Sequence, residues 1–237
     1  MTTTSYPLLF AWLVHFYTSL GAVLAFLALL FIDQAKFQAA FWMMLAAVMI
    51  DATDGTLARK ARVKELILWF DGDKLEDIID YLNYVLVPVY FLIRAQLLPQ
   101  ADALWLAAFP LLASAYGFCR KEAKTQDHFF LGFPSYWNIV VFYFYVLQSP
   151  SWFNAFAVLI LSFLVFVPIR YIYPSRSPVQ RGLMVGLGSL WAVLVLTIIY
   201  LLPERHTPLI FASLFFPAYY FIVSFWLEAQ RWQRGAA

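Results

Sequence analysis

The chain has 237 residues, 63% of them apolar and only 13% charged, with a formal net charge of +2. Soluble domains run near 45–50% apolar and about 25% charged, so a chain with a mean hydropathy of +0.74 cannot keep its apolar surface from water by folding alone. A soluble enzyme and a disordered regulator are excluded together. Cys119 is the only cysteine, which excludes an internal disulfide and a cysteine-held zinc, and so small a net charge gives no footing for nucleic acid.

A spanning helix needs roughly 20 mostly apolar residues. The first predicted span, Leu9–Ile32, ends at Asp33 and is too long for a signal-peptide core, with no basic segment before it. The second, Phe37–Leu57, carries Asp51 and Asp54 in its last third. A polar stretch, Ala58–Lys74, precedes the third span, Leu75–Leu98, which opens with Glu76, Asp77 and Asp80. The fourth is Ala103–Cys119. After the polar loop Arg120–His128 come a short fifth, Tyr136–Leu147, then Trp152–Tyr173, Gly182–Leu202 and Pro208–Leu227. The expectation is an all-α, polytopic integral membrane protein with about eight transmembrane helices, forming one domain over residues 1–237.

Lys and Arg set orientation. With the N-terminus inside, Arg59, Lys60, Arg62, Lys64, Lys74, Arg120, Lys121, Lys124, Arg170, Arg176, Arg181, Arg231 and Arg234 fall on one side, against Lys36, Arg94 and Arg205 on the other. Both termini are therefore expected in the cytoplasm, with the acid-rich second loop on the same face. Trp12, Trp42, Tyr81, Trp105, Trp152, Tyr173 and Trp226 stand near helix ends, as interfacial rings do. Gly182, Gly186 and Gly188 give the seventh helix a small-residue face suited to close packing within the chain.

Of the 14 acidic residues, Asp51, Asp54, Glu65, Asp71, Asp73, Glu76, Asp77 and Asp80 crowd into positions 51–80. An ionised group near a helix centre costs on the order of 3 kcal/mol in a bilayer, so intramembrane acids are functional candidates by default. Asp51 and Asp54, at i and i+3, share one helix face; Glu76 and Asp80, at i and i+4, share another. Two antiparallel helices would bring the pairs together. Facing carboxylates need either hard divalent cations, Mg²⁺ or Mn²⁺, or shared protons, as in a cation-coupled transporter. The surroundings favour the cations: Gly55 and Ala58 clear space on the next turn, and Arg59 offers a planar fork to phosphate oxygens. That set describes a site for a diphosphate carried on metal.

The run Asp51-Ala-Thr-Asp54-Gly55-Thr-Leu-Ala58-Arg59, followed by Gly72-Asp-Lys-Leu-Glu76-Asp-Ile-Ile-Asp80, resembles the signature of the CDP-alcohol phosphotransferase family, D-x2-D-G-x2-A-R, a spacer, then G-x3-D-x3-D. The spacer, Lys60–Asp71, is longer than usual, and Glu76 stands where the family has Asp, with Asp77 beside it. The basic run from Ala58 to Glu65 and the segment Phe129-Phe-Leu-Gly-Phe-Pro134-Ser-Tyr-Trp-Asn138 look like the bacterial branch of that family that uses choline as acceptor, a likeness covering most of the chain.

The resemblance implies transfer of the phosphatidyl group of CDP-diacylglycerol to choline, releasing CMP, at the bacterial inner membrane with the site facing the cytoplasm. It implies two divalent ions, Mn²⁺ or Mg²⁺, held by Asp51, Asp54, Glu76 and Asp80, with Asp80 taking the proton from the choline hydroxyl. Asp77 is the alternative third ligand. Gly55, Ala58 and Arg59 are then expected to contact CDP-diacylglycerol. Choline carries a fixed positive charge that aromatic faces bind; Trp69, Phe70, Tyr81, Tyr84, Tyr136 and Trp137 stand near the cytoplasmic side, and Tyr84, Tyr136 and Trp137 are the chosen candidates. Serine, glycerol 3-phosphate or inositol phosphate as acceptor, and a cation-coupled transporter, are the alternative readings. The family likeness leaves room for a homodimer. His15, His128 and His206 pair with no nucleophile and read as structural or surface residues.

Overall fold

The computed structural model describes residues 5–121, 125, 129–172 and 181–235; Lys124, His128, Tyr173 and Arg176 lie outside them. The described chain is 79% helical with almost no strand, as the composition demands. It falls into two compact units, Met1–Ala95 and Gln96–Ala237.

The first unit is a helical hairpin, α1 (Ser5–Asp33) and α2 (Phe37–Lys60), on which the rest of the unit rests. The turn between them is a Schellman cap: the Lys36 N–H bonds the Phe31 carbonyl at 2.8 Å and the Ala35 N–H bonds that of Ile32 at 3.0 Å. Ala35 takes the left-handed conformation (φ 55°) that glycine usually fills there. The short α3 (Val63–Leu66) then seats Val63 and Ile67 on Ala11 and Val14 of α1. The next helix starts where the Asp71 carboxylate accepts the Lys74 N–H at 3.0 Å, an N-cap that fixes the phase of everything after it. From there α4 (Gly72–Asp80), a π-helical segment (Tyr81–Leu86) and α5 (Val87–Arg94) run on without a break. This is the third predicted span, begun one turn earlier and stopped before Leu98. Gly72 lets the helix start touch α1, since a Cβ there would meet the His15 ring carbon Cε1 at 2.7 Å.

The second unit holds α6 (Ala103–Cys119), β1 (Phe129–Leu131), α7 (Trp137–Leu147), α8 (Ser151–Phe166), β2 (Arg170–Ile172), α9 (Arg181–Leu201), α10 (Thr207–Ser213) and α11 (Phe215–Gly235). The sixth span, expected through Tyr173, ends instead at Phe166. Pro168 forces the residue before it into extended backbone, and Val167 sits at φ −79°, ψ 124°. The chain beyond it becomes β2 and pairs antiparallel with β1, Phe130 opposite Tyr171. Between β1 and α7 the chain crosses α8 at Gly132 (φ 89°), whose N–H bonds the Ile169 carbonyl at 2.8 Å. The eighth span is divided near Leu214 for a similar reason. Pro217 has no N–H for the Ser213 carbonyl four residues back, and the Tyr143 hydroxyl donates to that carbonyl at 3.0 Å.

Four of the described helices are long and apolar enough to cross a membrane: Pro7–Asp33, Phe37–Lys60, Gly182–Leu201 and Thr207–Gln233. Ala103–Cys119, Trp137–Leu147 and Ser151–Phe166 are apolar but shorter. The chain is a multi-pass membrane protein. Among the described residues, the close packing expected of the glycine face on α9 is realised at Gly188, where an added Cβ would come 3.2 Å from the Phe216 ring, while at Gly182 and Gly186 it would meet none of them within 4 Å.

That contrast sets a stability test. A Cβ on Gly132 would lie 2.2 Å from the Val165 carbonyl oxygen, at a φ that L-residues avoid. Gly132→Ala is expected to cost about 1–3 kcal/mol, which at about 2–4 °C per kcal/mol lowers the thermal midpoint of the detergent-purified protein by several degrees. Gly186→Ala should leave the midpoint unchanged or raise it slightly. Equal midpoints for the two variants would disprove the assigned crossing at Gly132.

Candidate active site

Three acids of the crowded segment, Glu65, Asp71 and Asp73, have ordinary duties. Arg62 pairs with Glu65, and its hydrogen bond holds that carboxyl below the usual carboxylate range. Lys64 pairs with Asp73 at 2.7 Å, and Asp71 caps α4. Asp51, Glu76 and Asp80 are different. Carboxylate oxygens of these three lie within 4.8 Å of one another, half-buried where α2 meets α4. The i, i+4 spacing puts Glu76 and Asp80 on one face of α4, and Asp51 approaches from α2.

Asp54 stands apart from that trio. It is only 5% exposed and accepts the hydroxyl of the equally buried Thr18 on α1 at 2.8 Å. One residue earlier on each helix, the Tyr17 hydroxyl and Thr53 Oγ1 are 2.9 Å apart. The two contacts fix α2 against α1 at the level of the acids. Asp77 does not join the trio either; the described carboxylates that converge on Asp51 and Asp80 include Glu76, and the extra methylene of Glu suffices for the reach.

Tyr84 does stand beside the acids, but by its hydroxyl, which donates to Asp51 Oδ2 at 2.6 Å. Asn83, in the same π segment and 4% exposed, donates through Nδ2 to the Gly21 and Ile79 carbonyls at 3.0 Å each, tying this helix to α1. Arg59 is exposed, its Nη2 donating to Thr56 Oγ1 at 2.9 Å. Ala58 packs with Leu57 against the Ala11–Val14 cluster of α1, and Gly55 is half-buried on the turn after Asp54. His15 is a packing residue, wedged between Trp12 and Phe70 at ring distances of 5.8 and 4.6 Å. His206 is exposed beside Glu204.

Tyr136 and Trp137 belong to the second unit. Trp137 is fully buried, with Nε1 donating to the sealed Ser114 hydroxyl at 2.9 Å and Phe133 edge-on at 5.3 Å, so its ring serves the core of that unit. Tyr136 is half-buried, near Phe130 and Tyr220. The sequence reading missed Tyr17 and Thr18 as supports. Their signal was present: adjacent hydroxyls inside an apolar helix that has no other reason to carry them.

No family model matches the chain. Individual relatives do. It is 37% identical to a phosphatidylcholine synthase of Legionella pneumophila over 91% of this chain and 88% of that protein. The same name belongs to relatives in Pseudomonas aeruginosa, 36% identical over 94% of this chain and 93% of the other, and in Rhizobium meliloti, 34% identical over 78% and 76%. Identity at this level across most of both proteins, with the acids of two helices converging as described, places the chain in the phosphatidylcholine synthase family.

Proposed function

We propose that this enzyme transfers the phosphatidyl group of CDP-diacylglycerol to choline, giving phosphatidylcholine and CMP. The observation that carries the reading is the convergence of Asp51 on α2 with Glu76 and Asp80 on α4, in a chain whose relatives are named for the product. Three carboxylate oxygens within 4.8 Å fit a hard divalent cation, which takes oxygen ligands. Asp51, Glu76 and Asp80 would hold Mg²⁺ or Mn²⁺, with Asp54 completing a set for two ions. When bound, the cations supply the charge neutralisation that a diphosphate and a departing nucleotide need.

The chain's own groups do the rest. The choline hydroxyl oxygen forms a bond to the lipid-linked phosphorus, the bond from that phosphorus to CMP breaks, and Asp80 takes the hydroxyl proton. Tyr84 holds Asp51 in place, and Thr18 holds Asp54. Arg59 swings from Thr56 to a phosphate oxygen, and Gly55 and Ala58 leave room for the nucleotide. The Lys and Arg asymmetry supports an inner-membrane protein with both termini and this site at the cytoplasmic face.

Purified protein given CDP-diacylglycerol, choline and Mn²⁺ should release CMP and form phosphatidylcholine. Chelation with EDTA should abolish the reaction, and Mn²⁺ or Mg²⁺ should restore it. CMP release with serine or glycerol 3-phosphate but not with choline would overturn the acceptor.

Alanine at Asp51, Asp54 or Asp80 should lower the rate by 10²-fold or more, the usual cost of a lost ligand or base, with normal insertion and purification yield. A variant that keeps more than about a tenth of wild-type activity would remove its residue from the set.

The register of the third ligand has its own test. Glu76→Gln should inactivate, Glu76→Asp should keep part of the rate, and Asp77→Asn should stay near wild type. The reverse ranking would move the ligand to Asp77.

A further inference from the structure

The loop that joins α2 to α4 leaves its largest apolar side chains open. Leu68 is 84% exposed and Trp69 78%, and Leu66 beside them is exposed too. On a spanning helix an open apolar side chain meets acyl chains and needs no further explanation. These three stand off the spanning helices, on and just after the four-residue α3, where an exposed apolar patch marks an interaction surface.

The opposite side of the loop fixes its depth. Val63 and Ile67 are buried with Ala11 and Val14 of α1, and Phe70 packs on the same cluster. The Trp69 ring lies 5.3 Å from that of Trp12. The span Pro7–Asp33 has 27 residues, which at about 1.5 Å each cover roughly 40 Å, the thickness of a bilayer with its headgroup layers. Ala11 and Val14 therefore lie roughly 6–10 Å inside the end of that span, at the border between headgroups and acyl chains. Over the same turns α1 turns Leu9, Leu13 and Phe16 outward, each more than half exposed. Lipid that covers this stripe reaches the level of Trp69.

The charges suit that depth. Positions 59–74 hold Arg59, Lys60, Arg62, Lys64 and Lys74 against Glu65, Asp71 and Asp73. The Arg62–Glu65 and Lys64–Asp73 pairs neutralise four of these groups within the loop, as charges near a low-dielectric layer require. Lys60 and Lys74 are both exposed, on long stems that can lift an ammonium into the headgroup layer, and their sign matches anionic lipid.

We propose that this loop is a membrane-surface anchor. Leu68 and Trp69 enter the acyl border of the leaflet at this end of α1, while Lys60 and Lys74 rest on anionic headgroups. The anchor ends at Asp71, the cap of α4, so it also sets the depth of the helix that bears Glu76 and Asp80. Neither the acceptor nor the metal enters the inference, which goes beyond the reaction proposed above.

A depth measurement on the full chain tests it. In a Cys119→Ala background, Leu68→Cys supplies a single thiol for an NBD label, at a position where the native side chain touches little protein. Glu204→Cys, replacing a side chain 80% exposed, gives the comparison. In phosphatidylcholine vesicles with about one-third phosphatidylglycerol, lipid with a nitroxide near the top of its acyl chain should quench the Leu68→Cys label at least about threefold more than the Glu204→Cys label. Aqueous iodide should give the reverse ranking. Omitting phosphatidylglycerol, or replacing both Lys60 and Lys74 by Gln, should lower the nitroxide quenching about twofold. Equal iodide quenching of the two labels would overturn the anchor and put the loop in water. Protection of the Leu68→Cys label from both quenchers would overturn it in favour of a protein contact, such as a second copy of the chain. Nitroxide quenching that ignores both phosphatidylglycerol and the two Gln replacements would overturn the roles given to Lys60 and Lys74.

Discussion

Three carboxylates held within 4.8 Å of one another set the terms for the first unit. At an effective dielectric near 20, a pair of unit charges at that separation repels by about 3–4 kcal/mol, and the apolar surroundings make it worse. The cluster persists because the helices bearing it are fixed elsewhere. Thr18 and Tyr17 bind α2 at Asp54 and Thr53, Asn83 binds the third helix to the Gly21 carbonyl, and α3 presses its apolar side onto α1. α1 carries none of the three acids yet contacts every element that does. It is the frame against which α2 and α4 are clamped, and its polar residues make sense only in that role.

The second unit is governed by the related rule that backbone polar groups inside a bilayer must find partners within the protein. Pro217 removes a donor from a long apolar helix, and the Tyr143 hydroxyl takes up the carbonyl left behind. Pro168 ends α8 early, and the released chain finds its hydrogen bonds in a short ladder with β1. Side chains are met less evenly: among the described residues the buried hydroxyls of Tyr171 and Tyr220 have no hydrogen-bond partner, while that of Tyr143 in the same unit has several.

Hydropathy reads helix existence well because membrane spans are set by composition over roughly 20 residues. Each predicted span has a helical counterpart, and the i, i+4 spacing of Glu76 and Asp80 does put both beside Asp51, whereas Asp54, expected with them, turns to Thr18. Helix ends were less legible. α1, α5 and α7 stop at left-handed Ala35, Gln96 and Gln148, none of them the glycine that signals such a stop, so their boundaries depend on tertiary context. The β1–β2 pairing joins residues some forty positions apart, and a three-residue strand leaves no periodicity to detect. Tyr84 illustrates the limit at the site itself. Its place one helical turn after Asp80 was readable, but that its hydroxyl rather than its ring face meets the acids depends on where α2 lies. Trp137 was equally opaque: a ring beside Tyr136 in sequence is spent on Ser114 and Phe133 in the core.

The π segment Tyr81–Leu86, directly after Asp80, has a mechanical explanation in these contacts. π turns are rare and concentrate at functional sites because each gives up regular i→i+4 bonding. Here the wider turn lets two neighbouring residues serve two different helices: Asn83 reaches the α1 backbone at Gly21, and Tyr84 reaches Asp51 on α2. A regular α-helix turns about 100° per residue, which would swing the second side chain further from the first. By locking the third helix to both arms of the hairpin within one turn of Asp80, the segment fixes that carboxylate relative to Asp51 through hydrogen bonds internal to the protein. The three carboxylate oxygens are thus arranged by contacts internal to the protein, with no need of a cation to draw the helices together. Preorganisation of this kind is what an enzyme working mainly by charge placement requires.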